Sequence, residues 1–280
     1  MTPRSAVATT AAAPSTTTTT TTLAPSTTST TTTSTTTSTT TTSTVATPAF
    51  TATNRAFDRL AGDNPAATLT VRRDGRTVLQ RSSGTTIDGG IATSDSPMVV
   101  ASVSKLVTAL LIARLDQGGI LDVDGPTPWS VAGLVAHPGW SSVTPRELLV
   151  HTSGMPVVRP QWFERSGDCR SFLPTLLTEP PRAHRGEWTY SNGNYCALGL
   201  LVEALMSMPL DRAAQVALFD PLGATGAHLT TGGQAPTDVA YAPGVARLDR
   251  LGGAGSFIAS SNDLAVLYDS ITPADRETLI

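Results

Sequence analysis

One segment of the sequence reads Ser102-Val103-Ser104-Lys105-Leu106-Val107-Thr108-Ala109-Leu110-Leu111-Ile112-Ala113-Arg114-Leu115. Its apolar residues are distributed nearly all round a helix, which is typical of a helix buried in a protein core. Gly118 and Gly119 follow it, as glycines often do where a helix ends. The run is too short, and too interrupted by Lys105 and Arg114, to cross a bilayer. The sequence therefore predicts a domain built around a buried helix that begins near Ser102.

Ser102 and Lys105 stand three residues apart at the start of this helix, in the pattern S-x-x-K. That spacing places both side chains on one helix face. The positive end of the helix dipole and the apolar surroundings both disfavour a charged lysine, and a neutral lysine can take the proton of a serine hydroxyl. The Ser102 amide can donate to an oxyanion from the same helix start. We therefore predict a nucleophile and its base; the alternative is a helix-capping serine beside a surface lysine.

A second motif, Tyr190-Ser191-Asn192, comes just before a helical pattern that begins near Tyr195. A phenol beside a lysine ammonium can ionise below its usual pKa of about 10 and act as a base. An amide can orient both a lysine and a substrate carbonyl. Tyr190 and Asn192 are therefore candidate catalytic residues, and the alternative is a core tyrosine with a helix-capping asparagine.

The remaining pattern predicts an α+β fold with the helices segregated from the strands. Two β-rich runs, residues 67–73 and 76–81, flank Asp74-Gly75, a pair that accepts the positive φ of a tight hairpin turn. Thr144-Pro145-Arg146-Glu147 combines the cap, proline and acidic residue of a helix start. Pro221 and Gly223 are expected to end one helix. Further helices are predicted over residues 54–60, 195–205, 210–218 and 264–268, the last capped by residues 260–263.

The N-terminal part has a different composition, because residues 8–48 are almost entirely Thr, Ser, Ala and Pro. Such a tract cannot bury enough apolar surface to fold, and it is typical of O-glycosylated stalks. We expect a disordered stalk, residues 1–48, and one domain, residues 49–280. A stalk of this kind indicates a secreted or cell-envelope location, although no signal peptide is recognisable at the N-terminus.

Composition and spacing exclude several kinds of site. The net charge is −3 and no basic run suggests nucleic acid, and no apolar run is long enough to span a membrane. Cys169 and Cys196 lack metal-site spacing; they either form a disulfide, as an exported chain permits, or are two buried thiols.

Other polar and aromatic residues are given structural interpretations. The histidines His137, His184 and His228 do not cluster, so neither a metal site nor a Ser-His-Asp triad is expected, and no cofactor is implied. Asp122 and Asp124 are interpreted as turn residues. Trp162 and Trp188 are interpreted as buried packing residues, and the alternative is that they line the active-site cleft.

The two motifs together resemble a known family. Ala101-Ser102-Val103-Ser104-Lys105 is similar to the nucleophile motif of class C β-lactamases and D-alanyl-D-alanine carboxypeptidases, and Tyr190-Ser191-Asn192 is similar to their Tyr-x-Asn motif. His151 lies in a linker that resembles the family's and is expected to be structural there. The resemblance covers about residues 54–275 and includes the segments 119–126, 144–156, 219–223 and 252–264.

This resemblance implies a β-lactamase/transpeptidase-like fold, an antiparallel sheet with a helical subdomain. It also implies a serine hydrolase that forms an acyl-enzyme on a β-lactam, a D-Ala-D-Ala peptide or a small ester. In such an enzyme Ser102 attacks, Lys105 and Tyr190 exchange protons, and Asn192 orients the substrate and Lys105. We expect a monomer acting on a small-molecule or peptidoglycan-peptide substrate.

One part of the family pattern is missing. The family has a third motif, a Lys or His followed by a small residue and Gly, on a strand near the C-terminus, and no such motif follows Ala259. The domain is therefore expected to lack the C-terminal sheet strands, as a truncated enzyme would. The alternatives are a low-turnover or inactive penicillin- or peptidoglycan-binding module, and a purely structural stalked surface domain.

Overall fold

The computed structural model describes residues 50–158, 167–230, 232–240 and 248–279. All of them belong to one unit, Thr47–Ile280. The predicted stalk, residues 1–48, and Trp162 lie outside the described residues.

Helices make up most of the regular structure. The α-helices are α1 (Thr51–Asp63), α2 (Ser104–Gln117), α3 (Pro145–Leu149), α4 (Cys169–Leu177), α5 (Asn192–Met206), α6 (Leu210–Ala214), α7 (Asp220–Leu222), α8 (Ser261–Asp269) and α9 (Pro273–Leu279). A π-helical turn, Gln215–Phe219, joins α6 to α7. Short 3-10 helices occur at Ala101–Val103, Pro138–Trp140, Leu248–Arg250 and Gly252–Ala254.

The predicted hairpin is present and is confirmed. Strands β1 (Ala66–Arg73) and β2 (Arg76–Gly84) pair antiparallel around Asp74 and Gly75. These two residues have φ values of 51° and 72°, and positive φ at both central positions defines the tight turn that matches strand twist. Among the described residues the hairpin forms a sheet of its own.

Helices at both ends of the described domain hold the hairpin. The helix α1 lies against it, where the guanidinium of Arg81 stacks 4.7 Å from the Phe57 ring centroid. The helix α8 packs on β1, where Thr70 Oγ1 donates to Asn262 Oδ1 at 2.6 Å. The sheet is therefore anchored by residues almost 200 positions away in the chain.

A second, smaller sheet lies next to the start of α2. It consists of β3 (Met98–Val99), β4 (His228–Leu229) and β5 (Phe257–Ala259), in the antiparallel order β3-β5-β4. The Phe257 amide donates to Ser104 Oγ at 3.0 Å, and the Val100 amide donates to the Phe257 carbonyl at 3.1 Å. The central strand β5 thus fixes the backbone from which Ser102 projects.

The helix α2 is the centre of the core, as its sequence predicts. Ten of its 14 residues are buried, and it packs against α5, α6 and α9. The helix α5 is equally apolar, and α3, α4 and α6 pack around it. Burying each Leu or Ile side chain contributes about 1.5–3 kcal/mol, so these helices supply much of the stability of the domain.

Three details differ from the sequence predictions. No helix was predicted after Tyr268, yet α9 follows, capped by Thr272 and Asp275 in reciprocal hydrogen bonds. The helix α4 was not predicted either. Pro221 does not end the helix near residue 218, because the π-helical turn before it lets the chain continue through Pro221 to Gly223, whose φ of 70° ends the helix.

None of the described helices is, by itself, long and apolar enough to cross a membrane. The bent pair Asn192–Met206 and Leu210–Leu222, with 76° between its halves, meets the criterion in length and composition alone.

Candidate active site

Ser102 lies on an exposed 3-10 turn that leads into α2. Ala101, the residue before it, has a φ of 46°, a conformation that non-glycine residues seldom adopt. Strained backbone of this kind persists only where the surrounding structure imposes it, and it is concentrated at functional sites. The turn presents the Ser102 hydroxyl to solvent at the point where the buried helix begins.

Lys105 lies one turn further on, and its side chain is buried, with 8% of its surface exposed. Its Nζ donates to Ala254 O at 2.6 Å and to Asn192 Oδ1 at 2.9 Å, and it lies 3.3 Å from Ser102 Oγ, within hydrogen-bond distance. Burial lowers the pKa of this amine below its usual value, although the nearby Tyr190 opposes the shift. The direction agrees with the shift that the sequence predicts.

Tyr190 places its hydroxyl on the serine. Its Oη is 2.7 Å from Ser102 Oγ and donates to Asn192 Oδ1 at 3.3 Å. The Lys105 Nζ is 5.0 Å from the ring centroid, within the range of a cation–π contact. The structure thus brings together all four residues that the sequence singles out.

Asn192 is the first residue of α5, and it does not cap that helix. Ser191 is the cap: its Oγ accepts from the Gly193 amide at 3.1 Å and donates to the Pro156 carbonyl at 2.6 Å. The Asn192 amide is therefore free for Lys105 and Tyr190. The alternative interpretation of Asn192 as a helix cap is wrong.

The carbonyl of Ala254 is a site group that the sequence analysis missed. It belongs to the 3-10 turn Gly252–Ala254, which lies against α2 and α5. A Cβ on Gly253 would meet Thr108 Oγ1 at 2.7 Å and Tyr195 O at 3.0 Å. Only glycine therefore lets the backbone of this turn lie so close to α2 and α5. The cluster of glycines at 252, 253 and 255 was the available signal.

Aromatic rings cluster around His151, next to Tyr190. The His151 ring centroid lies 4.7 Å from that of Tyr190, 5.4 Å from that of Tyr195 and 6.3 Å from that of Trp188. Burial raises the pKa of Tyr195 to about 12, and its hydroxyl donates to the Leu149 carbonyl at 3.1 Å. Tyr195 is thus a structural phenol, whereas Tyr190, more than a third exposed, can reach a substrate.

Trp188 differs from its interpretation as a buried packing residue. Its side chain is 69% exposed beside Tyr190 and His151. Large exposed aromatic residues next to a reactive group are typical of substrate-binding surfaces.

The two cysteines lie behind the site. Cys169 at the start of α4 and Cys196 in α5 form a disulfide in the structure, with Cα atoms 5.1 Å apart. Cys196 is four residues after Asn192, one helical turn away. In the described part of the chain, no group of three or more His, Cys, Asp or Glu side chains is placed to hold a metal ion.

Known proteins resemble this chain in sequence and in fold. A family model described as Beta-lactamase matches residues 53–280. The chain is 29% identical over 139 residues to penicillin-binding protein 4* of Bacillus subtilis, a match that covers 46% of this chain and 30% of that protein. It is 25% identical over 182 residues to a Salmonella gallinarum protein with a provisional D-alanyl-D-alanine carboxypeptidase name, covering 57% and 42% of the two chains.

The matches to these two relatives cover less than half of each relative's length. A solved structure, the crystal structure of SurE with D-Leu, has 29% sequence identity and a TM-score of 0.63. That match covers 81% of this chain and 53% of the SurE chain.

Proposed function

Because the chain belongs to the beta-lactamase family, we propose that it is a serine hydrolase in which Ser102 is acylated by a carbonyl substrate. The observation that carries this proposal is the position of the exposed Ser102 Oγ, 2.7 Å from Tyr190 Oη and 3.3 Å from Lys105 Nζ. A serine hydroxyl becomes nucleophilic when a neighbouring base can take its proton.

The partners of Lys105 favour a neutral amine as that base. A neutral amine has two N–H groups and one lone pair. Asn192 Oδ1 and Ala254 O can only accept hydrogen bonds, so they take both N–H groups. The lone pair is then left for the hydroxyl proton of Ser102, the third neighbour.

The reaction proceeds in two halves. Ser102 Oγ bonds to the carbonyl carbon as its proton passes to Lys105, directly or through Tyr190, and the Ser102 amide stabilises the oxyanion. The bond to the leaving group breaks as Tyr190 returns the proton to the leaving nitrogen or oxygen. Water then attacks the ester, gives its proton to the same base, and Ser102 recovers its hydroxyl.

The substrate class is a β-lactam, a D-Ala-D-Ala peptide or a small ester, as the sequence motifs imply. The names of the two curated relatives fit the first two classes. The SurE structure with D-Leu fits a D-configured amino acid beside the reacting carbonyl. D-Ala-D-Ala peptides belong to the cell envelope, and we place the protein there or outside the cell.

Acylation of the full chain by a fluorescent penicillin tests the proposal. We expect one label per chain, located at Ser102 by mass spectrometry of peptides. Ser102→Ala is expected to abolish labelling, whereas Ser130→Ala, at another exposed serine, is expected to leave it unchanged. Nitrocefin and a D-Ala-D-Ala peptide, assayed in parallel, report turnover.

The outcomes separate the candidate functions. Steady hydrolysis identifies an enzyme, whereas a burst of one acyl group without turnover identifies a penicillin-binding module. If neither a β-lactam, a D-Ala-D-Ala peptide nor an activated ester forms an adduct on the folded wild-type chain, the proposal is wrong.

A further inference from the structure

His151 is held in an unusual conformation directly behind the site. It follows α3, its side chain is buried, and its φ of 61° lies in the left-handed region. A histidine adopts that region at a cost, so the surrounding contacts must impose it. Those contacts lead to Tyr190.

The residues on both sides of Tyr190 hydrogen-bond to His151. The amide of Thr189 donates to the His151 carbonyl at 2.8 Å, and the amide of Ser191 donates to its Nδ1 at 3.3 Å. Between these two bonds the Tyr190 ring packs on the imidazole, with centroids 4.7 Å apart and planes inclined by 40°. His151 thus hydrogen-bonds to the backbone before and after Tyr190 and packs against its ring.

The same contacts determine the tautomer of His151. A backbone amide can only donate, so Nδ1 must present its lone pair to Ser191. Asn194 Nδ2 therefore donates to the same nitrogen at 2.9 Å, and its Oδ1 accepts from Ser153 Oγ at 2.7 Å. The proton of the neutral ring is therefore on Nε2.

We propose that His151 is a positioning residue that holds the Tyr190 hydroxyl on Ser102 and acts as a neutral Nε2–H imidazole. This inference rests on the proposed role of Tyr190 in proton transfer. His151 does not touch the reacting atoms in this arrangement; it acts through Tyr190. His151 cannot act as the base of a triad in this tautomer. Nδ1 is the ring nitrogen with the lone pair, and it already accepts from Ser191 and Asn194.

The electrostatic surroundings keep the ring neutral. The titratable groups that face it are Lys105 from α2, Tyr195 from α5 and Tyr190 itself. Burial and the charge of Lys105 lower the pKa of His151 to about 4. The imidazole is therefore neutral at pH 7.

Two substitutions separate the parts of this contact. His151→Asn keeps a short acceptor and tolerates positive φ, but it removes the ring. His151→Phe keeps a ring but removes the acceptor. His137→Asn is the matched control, because the exposed His137 also accepts a backbone amide, that of Gly139, through Nδ1.

The rate of acylation by a penicillin in the full chain gives the functional readout. A small displacement of a catalytic group costs about a hundred-fold in rate, and we expect a loss of that order for His151→Asn. The penicillin concentration at half-maximal rate is expected to change little. His137→Asn is expected to react like the wild type. Acylation of His151→Asn at the wild-type rate would overturn the inference while leaving the proposed function intact.

A second measurement does not depend on activity. Ring ¹⁵N NMR of the wild-type chain is expected to show His151 with its proton on Nε2 at pH 7, and with a titration midpoint well below those of solvent-exposed histidines. A protonated Nδ1 at pH 7 would overturn the inference even if no substrate were found. Absence of any Ser102 adduct in the wild type would instead contradict the proposed function.

Discussion

Lys105 is the only lysine in the sequence, and every other basic side chain apart from histidine is an arginine. An arginine cannot lose its proton in a protein, whereas a buried lysine can. The single lysine therefore stands at the one position where the proposed chemistry needs an amine that can become neutral.

The pH dependence of acylation should follow this amine. Because burial lowers the pKa of Lys105, the neutral form is reached below the ordinary value of 10.5, and the rate should rise with pH through a midpoint below it. Protein labelled with ¹³C-lysine gives one side-chain signal set, whose titration should match the rate profile. Lys105→Arg should lose about 10²–10⁴-fold, the usual value of a general base. A pH-independent rate between pH 6 and 10 would contradict this prediction.

The buried imidazole of His151 makes stability depend on pH in a defined direction. Its pKa is about 4 in the folded chain and 6.5 in the unfolded one, so the unfolded state binds more protons between these values. With respect to His151, the folded state therefore keeps its full stability above pH 6.5 and loses stability as the pH falls towards 4. Relative to His151→Asn, the wild type should lose about 3 kcal/mol over this interval. Urea unfolding of both proteins at a series of pH values measures the difference, and a constant difference would refute the expectation.

At the scale of the element, helix starts were predictable where a cap and an apolar run coincide. The box of Thr144 and Glu147 and that of Ser260 and Asp263 are both present as expected. The same signature introduces α9 as Thr272-Pro273-Ala274-Asp275, but no apolar run follows it. Polar contacts with α2 help to hold this helix in place. Asp275 pairs with Arg114 at 2.6 Å, and Thr278 donates to Asp116 at 2.9 Å. The periodicity of the sequence does not predict such distant partners.

The disulfide should stabilise the pair of helices that it joins. The cysteines are 27 residues apart, and closing a loop of that length typically contributes about 2–4 kcal/mol. We expect Cys169→Ala with Cys196→Ala to lower the free energy of unfolding by this amount in urea, and reduction of the wild type to have a similar effect. Two free thiols per unreduced chain in a labelling assay would show that the bond does not form.

At the scale of the whole molecule, the predicted β-lactamase/transpeptidase-like α+β fold is confirmed. The four candidate site residues came from two local motifs, and the structure places them together. The carbonyl of Ala254 lies 149 residues from Lys105, and the imidazole of His151 lies 39 residues before Tyr190. The glycines near Ala254 indicate a close approach of the backbone, but no local pattern identifies the partners, because these contacts arise only when separate elements pack.

The family match begins after the Thr/Ser-rich part of the chain. All described residues belong to the unit Thr47–Ile280, and the family model begins at residue 53. A chain that starts at Thr47 should therefore keep the thermal midpoint and the acylation rate of the full chain. Calorimetry and penicillin labelling of the two chains provide the comparison, and a large loss of either property would show that the N-terminal segment contributes to the domain.

The oxygen of Ala254 has a consequence for how this site can vary. Every amino acid carries the same main-chain oxygen, so replacing Ala254 tests only the space around its buried methyl group. A saturation-mutagenesis scan would therefore score that position by size alone and give no sign of its contact with Lys105. The intolerance would be recorded one residue earlier, at Gly253, where a Cβ would meet Thr108 and Tyr195. Replacing the 254–255 peptide bond by an ester, which weakens the carbonyl as an acceptor, would probe the oxygen itself.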